Sequence, residues 1–126
     1  MSKKILVVED HDDIREIIFN QLSPAYEVSC AENGAAALEI LREKTFDLIV
    51  TDFNMPLMDG LEFSKRVNVE WPQLPLIMMT GRPTENRLEG TNILCLLIKP
   101  FSFDSLIKEV ENILSHSMRP VRHIDQ

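Results

Sequence analysis

The sequence predicts a doubly wound α/β domain built on a parallel sheet, and three observations carry that reading. Apolar runs recur at Ile5 to Val8, Val28 to Ala31, Leu48 to Val50, Leu76 to Met79 and Leu94 to Ile98. They are nearly continuous rather than alternating, as strands covered on both faces require. Segments of helical spacing separate them, and short connections between parallel strands give right-handed crossovers. Carboxylates stand where two of the runs end, Glu9 and Asp10 after the first and Asp52 after the third. In open α/β sheets that end of the strands is where ligands bind.

Taken in order, the run Ile5 to Val8 is followed by Ile14, Ile17, Ile18 and Leu22 at helical spacing, with Asp12 or Asp13 to cap the helix and Pro24 to end it. After the second run, Ala35-Ala36-Ala37 with Leu38 and Leu41 marks a second helix. The third run closes on Thr51 and Asp52, and Asp59-Gly60 opens a third helix through Leu61, Phe63 and Val67. Trp71, beside Pro72, reads as a loop anchor or a cover for the core. Between the fourth and fifth runs, Gly81 to Asn92 carries Pro83, Gly90 and mostly polar residues. That leaves room for about two helical turns. The final helix has Ser102 as cap, Asp104 in its first turn and Leu106, Val110, Ile113 and Leu114 as its buried stripe, and ends near His116. Residues 117–126, with Arg119, Pro120 and Arg122, read as a tail or the start of a linker, which leaves residues 1–116 as the domain.

A chain of 126 residues, 44% hydrophobic and 26% charged, suits one domain with one core. A formal net charge of -7 argues against a nucleic-acid surface, which wants a basic face. Met1-Ser2-Lys3-Lys4 leads into an apolar run too short for a signal peptide, and no stretch is long enough to span a bilayer. A cytoplasmic protein without membrane insertion is the expectation. Cys30 and Cys95 lie in strand-like runs with no Cys-x-x-Cys spacing, so they read as buried, reduced thiols.

Bringing Glu9, Asp10 and Asp52 to one rim concentrates negative charge, which a cation must offset. Oxygen ligands in small number, without a His or Cys partner, suit hexacoordinate Mg2+ completed by water. His11 reads as a solvated helix-entry residue. Two more strand ends supply what a phosphoryl group needs: Thr80 a hydroxyl donor, Lys99 an ammonium for charge-assisted bonding. A carboxylate nucleophile, Mg2+, a lysine and a hydroxyl suffice for in-line phosphoryl transfer to Asp52, with an acyl phosphate as intermediate. Singly, each has a plainer explanation as a turn residue, a cap or a solvated strand end. Their joint position at one sheet edge is what argues for chemistry.

The motifs Leu6-Val7-Val8-Glu9-Asp10, Asp52-Phe53-Asn54-Met55-Pro56-Leu57-Met58-Asp59-Gly60, Met79-Thr80-Gly81 and Lys99-Pro100-Phe101 occur in this order. In combination the chain resembles a response-regulator receiver domain over residues 3 to 116. The resemblance implies a flavodoxin-like, five-stranded parallel sheet of order 2-1-3-4-5 with helices on both faces. It implies that Asp52 is the phosphoacceptor and that Glu9 and Asp10 are the acidic pair at Mg2+. Asn54 is then a metal ligand through its backbone carbonyl beside Asp52, Thr80 the switch hydroxyl and Lys99 the site lysine. In that strand order Cys30 and Cys95 lie on opposite edges, about four strand spacings or roughly 19 Å apart, which excludes a disulfide within one chain. The bond before Pro100 is commonly cis in such domains, aiming Lys99 into the site.

The implied partners are a sensor histidine kinase or histidine phosphotransfer protein upstream and a protein target downstream, with no direct nucleic-acid binding by this chain. Phosphorylation would shift a conformational population and so switch protein contacts. Such a domain is a signalling phosphoacceptor that assists its own phosphorylation and dephosphorylation, not an enzyme. Two departures from the family pattern stand out. Leu96 occupies the position of the usual aromatic three residues before the lysine, and Thr80 and Lys99 are 19 residues apart, about one helical turn short. A fourth helix that is short or disordered follows as an expectation.

Other readings meet specific obstacles. A Mg2+-dependent phosphatase with an aspartyl nucleophile carries Asp-x-Asp after its first strand, whereas Asp52 ends the third and Asn54 replaces the second carboxylate. A flavin module needs phosphate donors where Glu9-Asp10-His11-Asp12-Asp13 would repel phosphate. The remaining alternative is a receiver-like interaction module whose switching is lost or independent of phosphorylation, because Leu96 and the short fourth helix would uncouple an intact site from output.

Overall fold

A computed structural model describes residues 2–81, 88, 90–115 and 122–124. Its elements are β1 (Lys4–Val8), α1 (Asp12–Leu22), β2 (Glu27–Ala31), α2 (Gly34–Glu43), β3 (Leu48–Asp52), α3 (Gly60–Glu70), β4 (Leu76–Thr80), β5 (Ile93–Ile98), α4 (Phe103–Ser115) and β6 (Arg122–Ile124). All strand pairs are parallel, in the order β2-β1-β3-β4-β5-β6. The first five thus stand in the order 2-1-3-4-5 that the resemblance implies. The Lys99–Pro100 peptide is cis.

Alternation along each strand divides the interior into two layers. Leu6, Val8, Ile49, Met78 and Leu96 face α2 and α3, meeting Leu38, Leu41, Phe63 and Val67. Ile5, Val7, Val50, Ile77 and Leu97 face α1 and α4, meeting Ile18, Leu22, Leu106 and Val110. Because both faces are covered, the strands of β1, β3 and β4 are buried almost end to end, which explains their continuous apolar runs.

Side chains cap three helices, at Asp59 and Ser102 as the sequence marks and at Asn33, which the sequence reading did not single out. Asn33 accepts from the Ala36 N–H at the start of α2, Asp59 from Glu62 N–H at the start of α3, and Ser102 Oγ from Ser105 N–H before α4. In α1 the outcome differs: His11 occupies the cap position without a side-chain bond, and Asp12 and Asp13 lie in the first turn instead. Their charges still favour that end of the helix dipole. Only Ile18 and Leu22 of the expected α1 stripe are buried, while Ile14 and Ile17 are 38% and 43% exposed. Trp71 caps the end of α3 and packs against the core, and its carbonyl accepts from Asn92 Nδ2 at 2.9 Å.

The segment 117–126, read from sequence as a tail or linker start, contributes β6, which pairs with β5 in the register Cys95 with Arg122 through Leu97 with Ile124. The fourth helix expected between β4 and β5 falls on residues 82–87 and 89, outside the described residues. Cys30 on β2 and Cys95 on β5 are free thiols with β1, β3 and β4 between them. Cys95 is buried as expected. Cys30 is only half-buried, and desolvation pushes its thiol above the ordinary range, with Arg15 opposing.

Candidate functional site

The strand order decides what meets at the carboxyl edge. β1 and β3 are neighbours, paired from Ile5 with Leu48 to Val8 with Thr51, so Glu9 and Asp10 leave the sheet beside Asp52. β4 ends next to them at Thr80, and β5 runs into Lys99, whose N–H donates to the Thr80 carbonyl at 2.8 Å. An open cavity of about 510 Å³ there is lined by Asp10, His11, Asp52, Asn54, Asp59 and Lys99 among others.

Asp52 is 3% exposed and held from two sides. Its Oδ1 accepts from Lys99 Nζ at 2.5 Å, and its Oδ2 accepts from the Asn54 backbone N–H at 3.1 Å. Glu9 is 1% exposed, and one of its oxygens accepts from the His11 N–H at 3.2 Å. Burial pushes the Glu9 carboxyl above its ordinary range. The His11 backbone bond opposes this, the charge of Asp52 adds to it, and Lys99 counteracts.

Two carboxylate oxygens at this edge, Glu9 Oε1 and Asp10 Oδ1, are buried without a hydrogen-bond partner among the described residues. A desolvated acceptor with no donor is costly, and a hard cation ligated by oxygen is the group that satisfies it. His11, 71% exposed, places Nδ1 3.4 Å from Glu9 Oε2 and 3.5 Å from Asp10 Oδ1. His11 is thus the solvated helix-entry residue that the sequence suggests, with its ring beside the acidic pair.

All six residues singled out in the sequence, Glu9, Asp10, Asp52, Asn54, Thr80 and Lys99, lie at this edge. Two further residues position this edge: Arg15, which the sequence reading did not single out, and Gly60, read from sequence only as opening the third helix and as part of the Asp52 motif. Arg15, one turn into α1, donates from Nη1 to the Glu9 carbonyl at 2.8 Å and from Nη2 to Asp12 Oδ1, tying the helix start to the end of β1. Gly60 lets α3 begin against the backbone at the end of β3: a Cβ there would lie 2.5 Å from the Asp52 carbonyl oxygen and 2.8 Å from Phe53 Cα. The spacing from Glu9 to Arg15 places that arginine in the first turns of the following helix, but nothing in the sequence marks its bond to a carbonyl.

This fold and edge define a receiver module, and comparison with known proteins agrees. The family model described as response regulator receiver domain matches residues 5–111. The response regulator receiver protein CpdR of Brucella abortus (strain 2308) is 35% identical over 119 residues, covering 89% of this chain and 97% of that protein. The sensor histidine kinase TmoS of Ectopseudomonas mendocina is 35% identical over 117 residues, but the match spans 89% of this chain and only 12% of that protein. Among solved structures, the response regulator TrrA from Thermotoga maritima, in complex with Mg2+-BeF, superposes with a TM-score of 0.78 at 30% identity, covering 87% of this chain and 97% of that one. The chain belongs to the response regulator receiver domain family of two-component systems.

Proposed function

We propose that Asp52 accepts a phosphoryl group from a phosphohistidine on a sensor kinase or phosphotransfer protein, and that the modified domain changes its protein contacts. The observation that carries this is buried Asp52, bonded to Lys99, at the same sheet edge as two carboxylate oxygens, Glu9 Oε1 and Asp10 Oδ1, that lack a hydrogen-bond partner among the described residues. A carboxylate oxygen of Asp52 attacks phosphorus in line. The new O–P bond forms as the P–N bond to the donor imidazole breaks, and the electron pair leaves with that nitrogen, giving an acyl phosphate and free histidine.

Glu9, Asp10, Asp52 and the Asn54 carbonyl would hold Mg2+, whose charge, when bound, offsets that of the carboxylates and of the phosphoryl oxygens. Lys99 stays within reach of the new phosphoryl oxygens and supplies a second cation. Thr80, buried at the end of β4 and tied through its carbonyl to Lys99, supplies the hydroxyl that reads the modification. The domain acts in the cytoplasm as a phosphoacceptor that assists gain and loss of its own phosphoryl group, with no turnover of a separate substrate. That TrrA was solved in complex with Mg2+-BeF supports the metal assignment by similarity.

A second reading is favoured by one observation. Leu96 is fully buried in the layer beneath α2 and α3, an aliphatic side chain at the position of the family's usual aromatic, whose rotamer swap it cannot make. A module that docks equally well in both states fits that feature.

Intact-protein mass after incubation with acetyl phosphate tests the first reading. One added phosphoryl group that requires both Mg2+ and Asp52, and is absent from Asp52→Asn, is the expected result; no addition to folded protein refutes it. Partner affinity that is equal with and without the phosphoryl group selects the second reading.

A further inference from the structure

The sheet continues past β5. Arg122 to Ile124 lies along its outer edge in parallel register, Leu96 opposite His123. β5, α4 and β6 thus form one more crossover unit, with six residues, 116–121, between helix and strand, an ordinary length for such a connection. Without β6, the outward peptide groups of β5 would form an open template, the feature that invites pairing with another chain.

The direction of those groups follows from the ladder on the other side. Lys99 N–H donates to the Thr80 carbonyl on β4. Alternation along β5, whose register with β4 is unbroken from Cys95 to Ile98, turns the peptide groups of Leu96 and Ile98 away from β4 and toward β6. With Leu96 opposite His123, the parallel pattern sets the Leu96 N–H against the Arg122 carbonyl and the Ile124 N–H against the Leu96 carbonyl. The His123 peptide groups then face outward. β6 is three residues long against five or six in every other strand, so few bonds hold it.

We propose that the outer edge of β5 is a strand-addition site whose resident occupant is the chain's own segment Arg122–Ile124. The segment is held weakly enough to exchange with an extended segment supplied in trans. Closed, it guards the edge against association; released, it exposes a parallel template on the strand that leads directly into Lys99. This rests on backbone pairing alone and stands or falls separately from phosphorylation of Asp52.

Amide hydrogen exchange followed by NMR on the full chain tests it with two proline variants. Ile124→Pro removes the N–H aimed at Leu96, whereas His123→Pro removes one that faces outward, which an edge strand tolerates. The expected result is exchange of the Leu96 amide at least about tenfold faster in Ile124→Pro than in the unmodified chain, near-unmodified rates in His123→Pro, and unchanged β1 and β3 amides in both. A synthetic peptide of residues 117–126 added to Ile124→Pro is expected to restore protection at Leu96. Equal exchange in all three proteins overturns the pairing, and failure of the peptide to restore protection overturns exchangeability. Protection that depends on protein concentration, with a dimer by light scattering, overturns occupancy by the chain's own segment.

Discussion

Lys99 Nζ lies 2.5 Å from Asp52 Oδ1 although the two residues are 47 apart in the chain. The bond crosses the end of β4, which separates the strands carrying them, so it exists only because β3, β4 and β5 finish at one level. It joins the Asp52 carboxylate to a cation supplied by the chain itself. Replacing Lys99 with Ala is expected to lower the rate of Asp52 phosphorylation by acetyl phosphate by about 100-fold or more, the scale for losing one charge-stabilising donor. Initial rates from intact mass, with circular dichroism to confirm folding, check this.

Glu9 is buried with one oxygen unpartnered, and its carboxyl is raised above the ordinary range chiefly by desolvation. A folded-state value above the unfolded one means that the native state binds the proton more tightly. The resulting penalty is absent below the unfolded value, grows as pH rises to the folded value, and is full above it. Glu9→Gln is therefore expected to stabilise the metal-free protein near pH 7 by about 1–3 kcal/mol and to have little effect near pH 4. Urea unfolding in chelator at both pH values measures it, and a stability loss at pH 7 would contradict the assignment.

Added Mg2+ is expected to reverse that ranking. A ligand bound by the native state alone stabilises it by about 2.7 kcal/mol at a concentration 100 times its dissociation constant. Thermal melts should move upward with Mg2+ in the unmodified chain and much less in Glu9→Gln or Asp10→Asn. Equal shifts in all three would place the ion elsewhere.

Gly60→Ala puts a Cβ 2.5 Å from the Asp52 carbonyl oxygen, against backbone that cannot rotate away as a side chain could. Overpacking of this kind costs about 1–3 kcal/mol, and here the displaced backbone carries Asp52, the proposed phosphoacceptor. Both urea stability and the phosphorylation rate should fall. Loss of stability with an unchanged rate would show that α3 moves rather than β3.

Leu96→Ala opens a cavity between the sheet and the layer of α2 and α3, for an expected loss of about 2–5 kcal/mol. In protein still folded at low temperature, the rate of Asp52 phosphorylation should match that of the unmodified chain, because Leu96 packs in the core rather than at the site.

Strands β1, β3 and β4 were legible because each is buried on both faces and reads as an apolar run, and the site was legible because its residues sit directly at the ends of such runs. The phase of α1 was not. Ile14, Ile17, Ile18 and Leu22 share a helical period, but period does not say which part of a wide apolar stripe meets the sheet, and only Ile18 and Leu22 do. Nor was β6, since three residues between polar neighbours offer no pattern and are a strand only because β5 lies alongside.

By itself the sequence determined the local facts: where the first five strands and the helices of the described residues form, and which carboxylates, hydroxyl and lysine terminate the strands. Those follow from backbone preference and periodicity within a dozen residues. Tertiary structure decided the rest: that β1 and β3 are neighbours, that Lys99 crosses the end of β4 to reach Asp52, that Glu9 is sealed from water, that Gly60 must lack a side chain and that β5 is covered. Each of these depends on strands and helices distant in the chain packing against one another, and no local stretch of residues encodes such a distance.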